Sequence, residues 1–159
     1  TIDALPLDRF HASCIALDLQ YKEAGNGIVA ADFEPYSSRI RTDKIMLLKT
    51  EWAEGCALNK EFLNAWPYLS GEGAECLVSR GIHGVGIEGP SIGGWDDPEK
   101  ETAAHRVLLC AKKLIAEDIR VPEAMLDDHP RHFAAFPVLI QDAGGTWTRA
   151  VAWDEGEMG

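Results

Sequence analysis

The chain is expected to fold as an α/β domain around a mixed sheet, and three features of the sequence carry that expectation. Two uninterrupted apolar runs of strand length stand at residues 14–19 and 45–48, the pattern of strands buried on both faces. Segments with helical spacing alternate with such runs. The last quarter places two apolar stretches around Asp142-Ala143-Gly144-Gly145, a hairpin signature.

Taken in order, Cys14-Ile15-Ala16-Leu17-Asp18-Leu19 is the first strand. Ala30-Ala31-Asp32-Phe33-Glu34-Pro35-Tyr36 reads as a short helix cut by its proline. Ile45-Met46-Leu47-Leu48 is the second strand. Residues 58–65 form an amphipathic segment with Leu58, Phe62, Leu63 and Trp66 on one side and Pro67 at its end. Residues 72–79 read as a further helix closed by Gly81. Residues 84–87 then form a strand that leads into the Gly/Pro-rich loop 89–94.

The next helix has the clearest start in the chain. Asp96-Asp97-Pro98-Glu99 offers an aspartate cap, a proline in the first turn and an acid beside the positive end of the helix dipole. Ala103, Ala104, Val107, Leu108 and Ala111 recur at helical spacing, so His105 rides on a helix that ends near Lys112-Lys113. Leu114-Ile115-Ala116 reads as a short buried strand after a turn, with Glu117 at its end. Had the helix run on instead, twelve residues at about 100° each would leave Glu117 roughly 120° away from the His105 face. Residues 138–141 and 147–153 complete the terminal hairpin, and His129-Pro130-Arg131-His132 reads as a solvated connection before it. No repeat or linker divides the chain, so residues 1–159 are read as one domain.

Composition excludes several function classes. The chain has 159 residues, 46% hydrophobic and 26% charged, enough for a single packed core. A net charge of −11 with no basic stripe argues against nucleic acid as a partner. Acidic residues 154–157 look like a solvated tail. No apolar run is long enough to span a bilayer, so no membrane partner is expected, and the charged first ten residues do not read as a signal peptide. The four cysteines show no Cys-x-x-Cys pair, which fits a reducing compartment. Cys14 and Cys110 lie in apolar runs and read as core residues, whereas Cys56 and Cys76 flank loop-like segments.

His105 and Glu117 are the candidate metal ligands, since an imidazole and a carboxylate both suit a borderline divalent ion. On spacing alone the pair reads more simply as a capped helix histidine and a surface acid. In the loop Gly86-Ile87-Glu88-Gly89-Pro90-Ser91, a structural turn and a substrate contact through Ser91 are both open. The loop lacks the Gly-Lys-Ser/Thr of a phosphate loop and the Gly-x-Ser-x-Gly of a nucleophile elbow. The five tryptophans are mostly core candidates. Trp95, just before the His105 helix, is the one placed against an aromatic substrate.

Several blocks in a fixed order resemble the cyclase-type metal-dependent hydrolases, which include bacterial kynurenine formamidases and isatin hydrolases. They are Thr1-Ile2-Asp3-Ala4-Leu5-Pro6-Leu7, the strand at 14–19, Ile45 to Trp52, Gly84 to Ile92, the His105-to-Glu117 block, Phe136 to Ile140 and Gly144 to Ala152. The resemblance implies the mixed-sheet swivelling β/β/α-type fold of that family. It implies a zinc- or manganese-dependent, oligomeric, cytoplasmic hydrolase of a small amide or lactam, with N-formylkynurenine of tryptophan catabolism as a candidate substrate. It places His105 and Glu117 among the metal ligands and tips Ser91 towards substrate contact.

Two departures qualify it. The family's His-x-Gly-Thr-His-x-Asp stretch, which supplies most ligands and a catalytic histidine, has no counterpart here and would precede Thr1. The domain is therefore expected to be truncated at its N-terminus, with its general base outside the chain. Glu88 and Gly93 stand where the family often carries aspartates. Two functions follow: a metal-dependent amide hydrolase that is incomplete as it stands, or a catalytically silent binding or scaffold module that keeps the fold.

Overall fold

A computed structural model of the chain describes residues 1–55 and 60–156. Its centre is a six-stranded mixed sheet in the order β6-β5-β3-β1-β7-β8. Strands β1 (His11–Asp18), β3 (Ile45–Lys49), β5 (Gly84–Ile87) and β6 (Leu114–Ala116) run parallel, and β7 (Arg131–Ala134) and β8 (Val151–Asp154) extend the sheet antiparallel beyond β1. A small parallel pair, β2 (Gly27–Ile28) with β4 (Tyr68–Leu69), lies apart from it. The α/β class with a mixed sheet is the one the sequence predicts.

The apolar runs form strands because both of their faces are covered. On one face Leu17, Met46, Leu48, Val85 and Ile87 pack under helices α2 (Gly71–Ser79) and α3 (Pro98–Cys110), which meet them through Leu77, Ala104 and Leu108. On the other, Cys14, Ala16, Ile45, Leu47 and Phe133 are covered by Ile119 and Val121 from the segment after β6. Helix α2 starts one residue earlier than expected, with the Ser70 hydroxyl accepting from Gly73 N at 3.0 Å. Gly81 follows with φ of 74°, the left-handed turn that ends it. The segment at 30–36 is a 3-10 helix that contains Pro35. Helix α1 (Lys60–Asn64) keeps the C-terminal part of the amphipathic segment, burying Phe62 and leaving Leu63 exposed. Cys56 and Leu58 lie outside the described residues.

At the carboxyl ends of β3 and β5 the fold is clamped by a buried acid. Glu88 has no exposed surface and accepts from Thr50 N at 2.8 Å and Val121 N at 3.1 Å. The nearby Lys49 is equally enclosed, donating to Val121 O at 3.2 Å. Glu88 therefore faces inward and joins β3, β5 and the covering segment, and is not part of an open loop surface.

Four expectations need correction. The hairpin's ladder partner for β8 is Arg131–Ala134, and residues 138–141 form no strand. Phe133 and Ala134 pack on β1, whereas Val138, Leu139 and Ile140 extend past the sheet with 55%, 76% and 43% of their surface exposed. Pro137 brings no N–H to the ladder, and only a bridge to Thr148 continues it. Consequently His132, read as a loop residue, is a strand residue stacked on Trp153 with ring centroids 5.5 Å apart. Cys110 is exposed, since it follows the buried Leu108 by two positions, about 200° around α3. Trp147 is no core residue: 84% of its surface is exposed, beside the apolar band of the hairpin.

Removing the buried clamp should be costly. Glu88→Ala strands two buried N–H donors and is expected to lower unfolding stability by about 3 kcal/mol. Urea denaturation would measure it, and a loss below about 1 kcal/mol would show that water or neighbouring groups replace the carboxylate.

Candidate active site

The C-terminal ends of parallel strands are where open α/β sheets build their sites. Glu117 directly follows β6, and the loop 89–94 follows β5, so the two meet at that edge. The loop is held by Asp118 N donating to Gly89 O at 2.9 Å and by Leu69 N donating to Ile92 O at 2.9 Å. Trp66 Nε1 donates to Gly93 O at 2.8 Å beneath it. Gly93 has a steric cause: a Cβ there would sit 2.2 Å from Glu101 O in the first turn of α3. The family's frequent aspartate at this position would require α3 to move.

Helix α3 begins as its sequence dictates, with Asp97 Oδ1 accepting from Glu99 N at 2.9 Å and Pro98 in the first turn. It presents His105 to Glu117, and the ring Nε2 lies 3.0 Å from Glu117 Oε1. The helix-then-strand reading thus brings together residues that a continuous helix would have kept apart. The same oxygen accepts from Ile92 N at 2.8 Å and from the Ser91 hydroxyl at 3.3 Å. The Ile92 contact is a backbone one, which no side-chain motif could have announced. Glu117 Oε2 has no hydrogen-bond partner among the described residues.

His105 Nδ1 lies 2.8 Å from Glu101 O, so both ring nitrogens face oxygens that only accept. In metal-free protein that geometry favours the doubly protonated imidazolium. The Glu117 bond raises the His105 pKa above its ordinary 6.5, with burial opposing and the Glu101 carbonyl adding to the rise. Burial pushes Glu117 up, but the bonds from His105, Ile92 N–H and Ser91 outweigh it and leave the carboxyl below its ordinary 4.5.

Of the four residues singled out from the sequence, His105, Glu117 and Ser91 converge. Trp95 does not join them: it lies against Trp66 with centroids 6.1 Å apart and is 46% exposed. Glu117 also lines a cleft of about 720 Å³, floored by Leu47 and Phe133 and walled by the segment 148–154 of the hairpin. Ser91, Trp95 and His105 are not among its lining.

A histidine whose Nδ1–H is anchored on a carbonyl and whose Nε2 points at a carboxylate is the usual arrangement of a metal ligand. No group of three or more His, Cys, Asp or Glu residues that could hold a metal exists among the described residues. The pair therefore fits as two ligands and falls short of the three protein ligands of a catalytic zinc.

A family model described as a putative cyclase matches residues 1–93. The chain belongs to the putative cyclase family. The match contains Ser91 and stops before Trp95, His105 and Glu117, which stand on the geometry above. Kynurenine formamidases of Bacillus mycoides (strain KBAB4) and Bacillus anthracis are each 33% identical over 91 residues, covering 57% of this chain and 42% of theirs. The chain thus spans less than half the length of these curated relatives. Isatin hydrolase A from Labrenzia aggregata bound to benzyl benzoate shares its fold at a TM-score of 0.83 and 20% identity, over 96% of this chain and 64% of that one. A predicted metal-dependent hydrolase from Bacillus stearothermophilus aligns at a TM-score of 0.70 and 21% identity, over 91% and 64% of the two chains. The structural likenesses show the cyclase-family fold.

The pair's titration sets a pH signature for metal-free protein. Glu117, lowered from 4.5, stabilises above that value and loses its contribution as pH falls through the folded pKa. His105, raised from 6.5, stabilises below that value and loses its contribution as pH rises through the folded pKa. In chelator-treated protein, the stability advantage of wild type over His105→Asn should therefore peak between these two ordinary values and shrink on either side. About a third of each side chain is exposed, so screening keeps the gain at or below about 1 kcal/mol. Denaturation across pH 4–9 would reveal the dome, and a flat difference would remove the ion pair.

Proposed function

We propose that this chain forms part of a metal-dependent hydrolase acting on a small amide or lactam, in the manner of the kynurenine formamidases and isatin hydrolases it is similar to. The observation that carries the reading is the convergence of His105 Nε2 and Glu117 Oε1 beside Ser91, at the carboxyl edge of the sheet. His105 and Glu117 would hold a zinc or manganese ion together with donors from outside this pair. Such an ion supplies Lewis acidity and lowers the pKa of bound water.

The chain's own residues have definite tasks in this reading. Glu101 O fixes the His105 ring through Nδ1–H, leaving Nε2 free to give up its proton. Ile92 N–H and Ser91 hold Glu117 Oε1 and leave Oε2 without a hydrogen-bond partner among the described residues. The Ser91 hydroxyl, held 3.3 Å from Glu117 Oε1, would be the group to donate to a substrate carbonyl. Trp95, off the cleft, offers an outer contact for an aromatic substrate. N-formylkynurenine and isatin are the substrates to compare. A cytoplasmic site of action agrees with the free Cys14, Cys76 and Cys110 and with the absence, among the described residues, of any helix long and apolar enough to cross a membrane.

The assay is formamide and lactam hydrolysis by zinc- or manganese-loaded protein. His105→Ala and Glu117→Ala should each reduce turnover at least a hundredfold and lower metal occupancy with the fold retained. Activity surviving in both would refute the site. The two-donor count favours a second reading, a silent module on the same fold. Zinc titration of the 159-residue chain tests the donor count. Weak binding, above about 1 µM, with little turnover fits a site needing a further donor. Submicromolar binding with steady turnover would mean that another residue completes it.

The protein is also proposed to self-associate. Phe136, Val138, Leu139, Ile140 and Trp147 form an exposed apolar band on the hairpin, the kind of surface that marks an interface. Light scattering should show dimers or larger species at micromolar concentration, and a uniform monomer would count against it.

A further inference from the structure

A second pocket lies towards the amino-terminal side of the parallel strands, away from His105 and Glu117. Its volume is about 300 Å³, and Cys14, Ile15 and Ala16 of β1 form part of its wall. Four cations line it, Arg39, Arg41, Lys44 and Arg131, against two carboxylates, Asp127 and Asp128. This is a local excess of positive charge in a chain whose net charge is −11.

The pocket's carboxylates are already committed. Asp127 is bound by Arg131 and by His129 N, and the Arg131 hold keeps its carboxyl low, at about 2. Asp128 pairs with Arg39 Nε at 3.0 Å, and Arg131 is further fixed by Asp154 at 2.7 Å. These pairs commit Arg39 and Arg131 to carboxylates of the protein. Arg41 and Lys44 have no carboxylate within ion-pair distance among the described residues. The Ser38 hydroxyl and the His129 ring, also in the lining, have no hydrogen-bond partner among the described residues. Lys44 and Arg131 both act electrostatically on the buried Cys14 thiol, so their charges reach the pocket floor. The uncommitted groups are thus two cations, a hydroxyl and an imidazole, while the acceptors are spent.

We infer that this pocket is a binding site for a small, multiply charged oxyanion, carried as a phosphate group or as a di- or tricarboxylate. A guanidinium and an ammonium on one rim give a planar fork and a point charge, the combination that recognises such oxygens. Ser38 and His129 supply further donors. The volume suits the anionic group of a metabolite and little more. The site is separate from the His105–Glu117 pair and does not depend on the hydrolase reading.

Backbone amide shifts in ¹⁵N-labelled full chain would be followed during titration with inorganic phosphate and, separately, with citrate, at constant ionic strength balanced by chloride. The expected result is saturable movement at Cys14, Lys44 and His129 with at least one of the two anions. The tighter anion identifies the chemistry of the natural ligand. Arg41→Gln with Lys44→Gln should weaken that binding at least tenfold, and His105→Ala should leave it unchanged. The single variant Arg41→Gln, at an exposed side chain, provides the same readout at several-fold loss if the double variant is poorly folded. Shifts that stay linear for both anions, or binding of equal strength in a folded Arg41→Gln, Lys44→Gln protein, would overturn the site.

Discussion

One carboxylate oxygen organises the functional end of this fold. Glu117 Oε1 accepts from a helix side chain, a loop backbone N–H and a loop hydroxyl, so α3, β6 and the loop after β5 meet on a single atom. Each donor lowers the energy of the charged carboxylate, and together they outweigh its burial. The same bonds bear on the state of His105, which lies between two acceptors and is thereby biased towards its protonated form. The Glu117 bond that orients His105 also holds the proton on its ring, so any ligand taking Nε2 would have to displace that proton.

Beneath that edge lies a different kind of constraint. Glu88 satisfies buried backbone donors just after β3 and on the segment after β6, and so fixes where Glu117 emerges from the sheet. Gly93 lets α3 approach the loop closely enough for His105 to reach. The site is therefore positioned in part by residues outside the His105–Glu117 pair, Gly93 also donating its N–H to Ser91 Oγ at 3.2 Å. The antiparallel strands β7 and β8 contribute a cleft wall instead, and leave an apolar band facing outward.

Much of this was legible from residues alone, wherever local chemistry is decisive. The Asp97-Pro98 start, the buried run of β3 and the break between α3 and β6 each rest on short-range rules and appear where expected, whereas β1 runs from His11 to Asp18 and so begins three residues before the run at 14–19. The meeting of His105 with Glu117 followed from that break. What escaped is what long-range pairing decides. Arg131-His132 looks like loop sequence, and becomes strand because β1 and β8 both need a partner there. Residues 138–140 look like strand sequence, yet no layer covers them. The support from Ile92 N–H was invisible because every residue except proline carries one.

Direct observation of the imidazole nitrogens would test the central claim, that His105 is a metal ligand oriented by Glu101 O and paired with Glu117. Long-range ¹H–¹⁵N correlation spectra of the histidine rings would be recorded during zinc titration at neutral pH. The account predicts that His105 starts with both nitrogens protonated, and that zinc moves Nε2 to the metal-bound position while Nδ1 keeps its proton. A His105 ring that is unaffected at zinc concentrations saturating the protein, or one that binds through Nδ1, would contradict it.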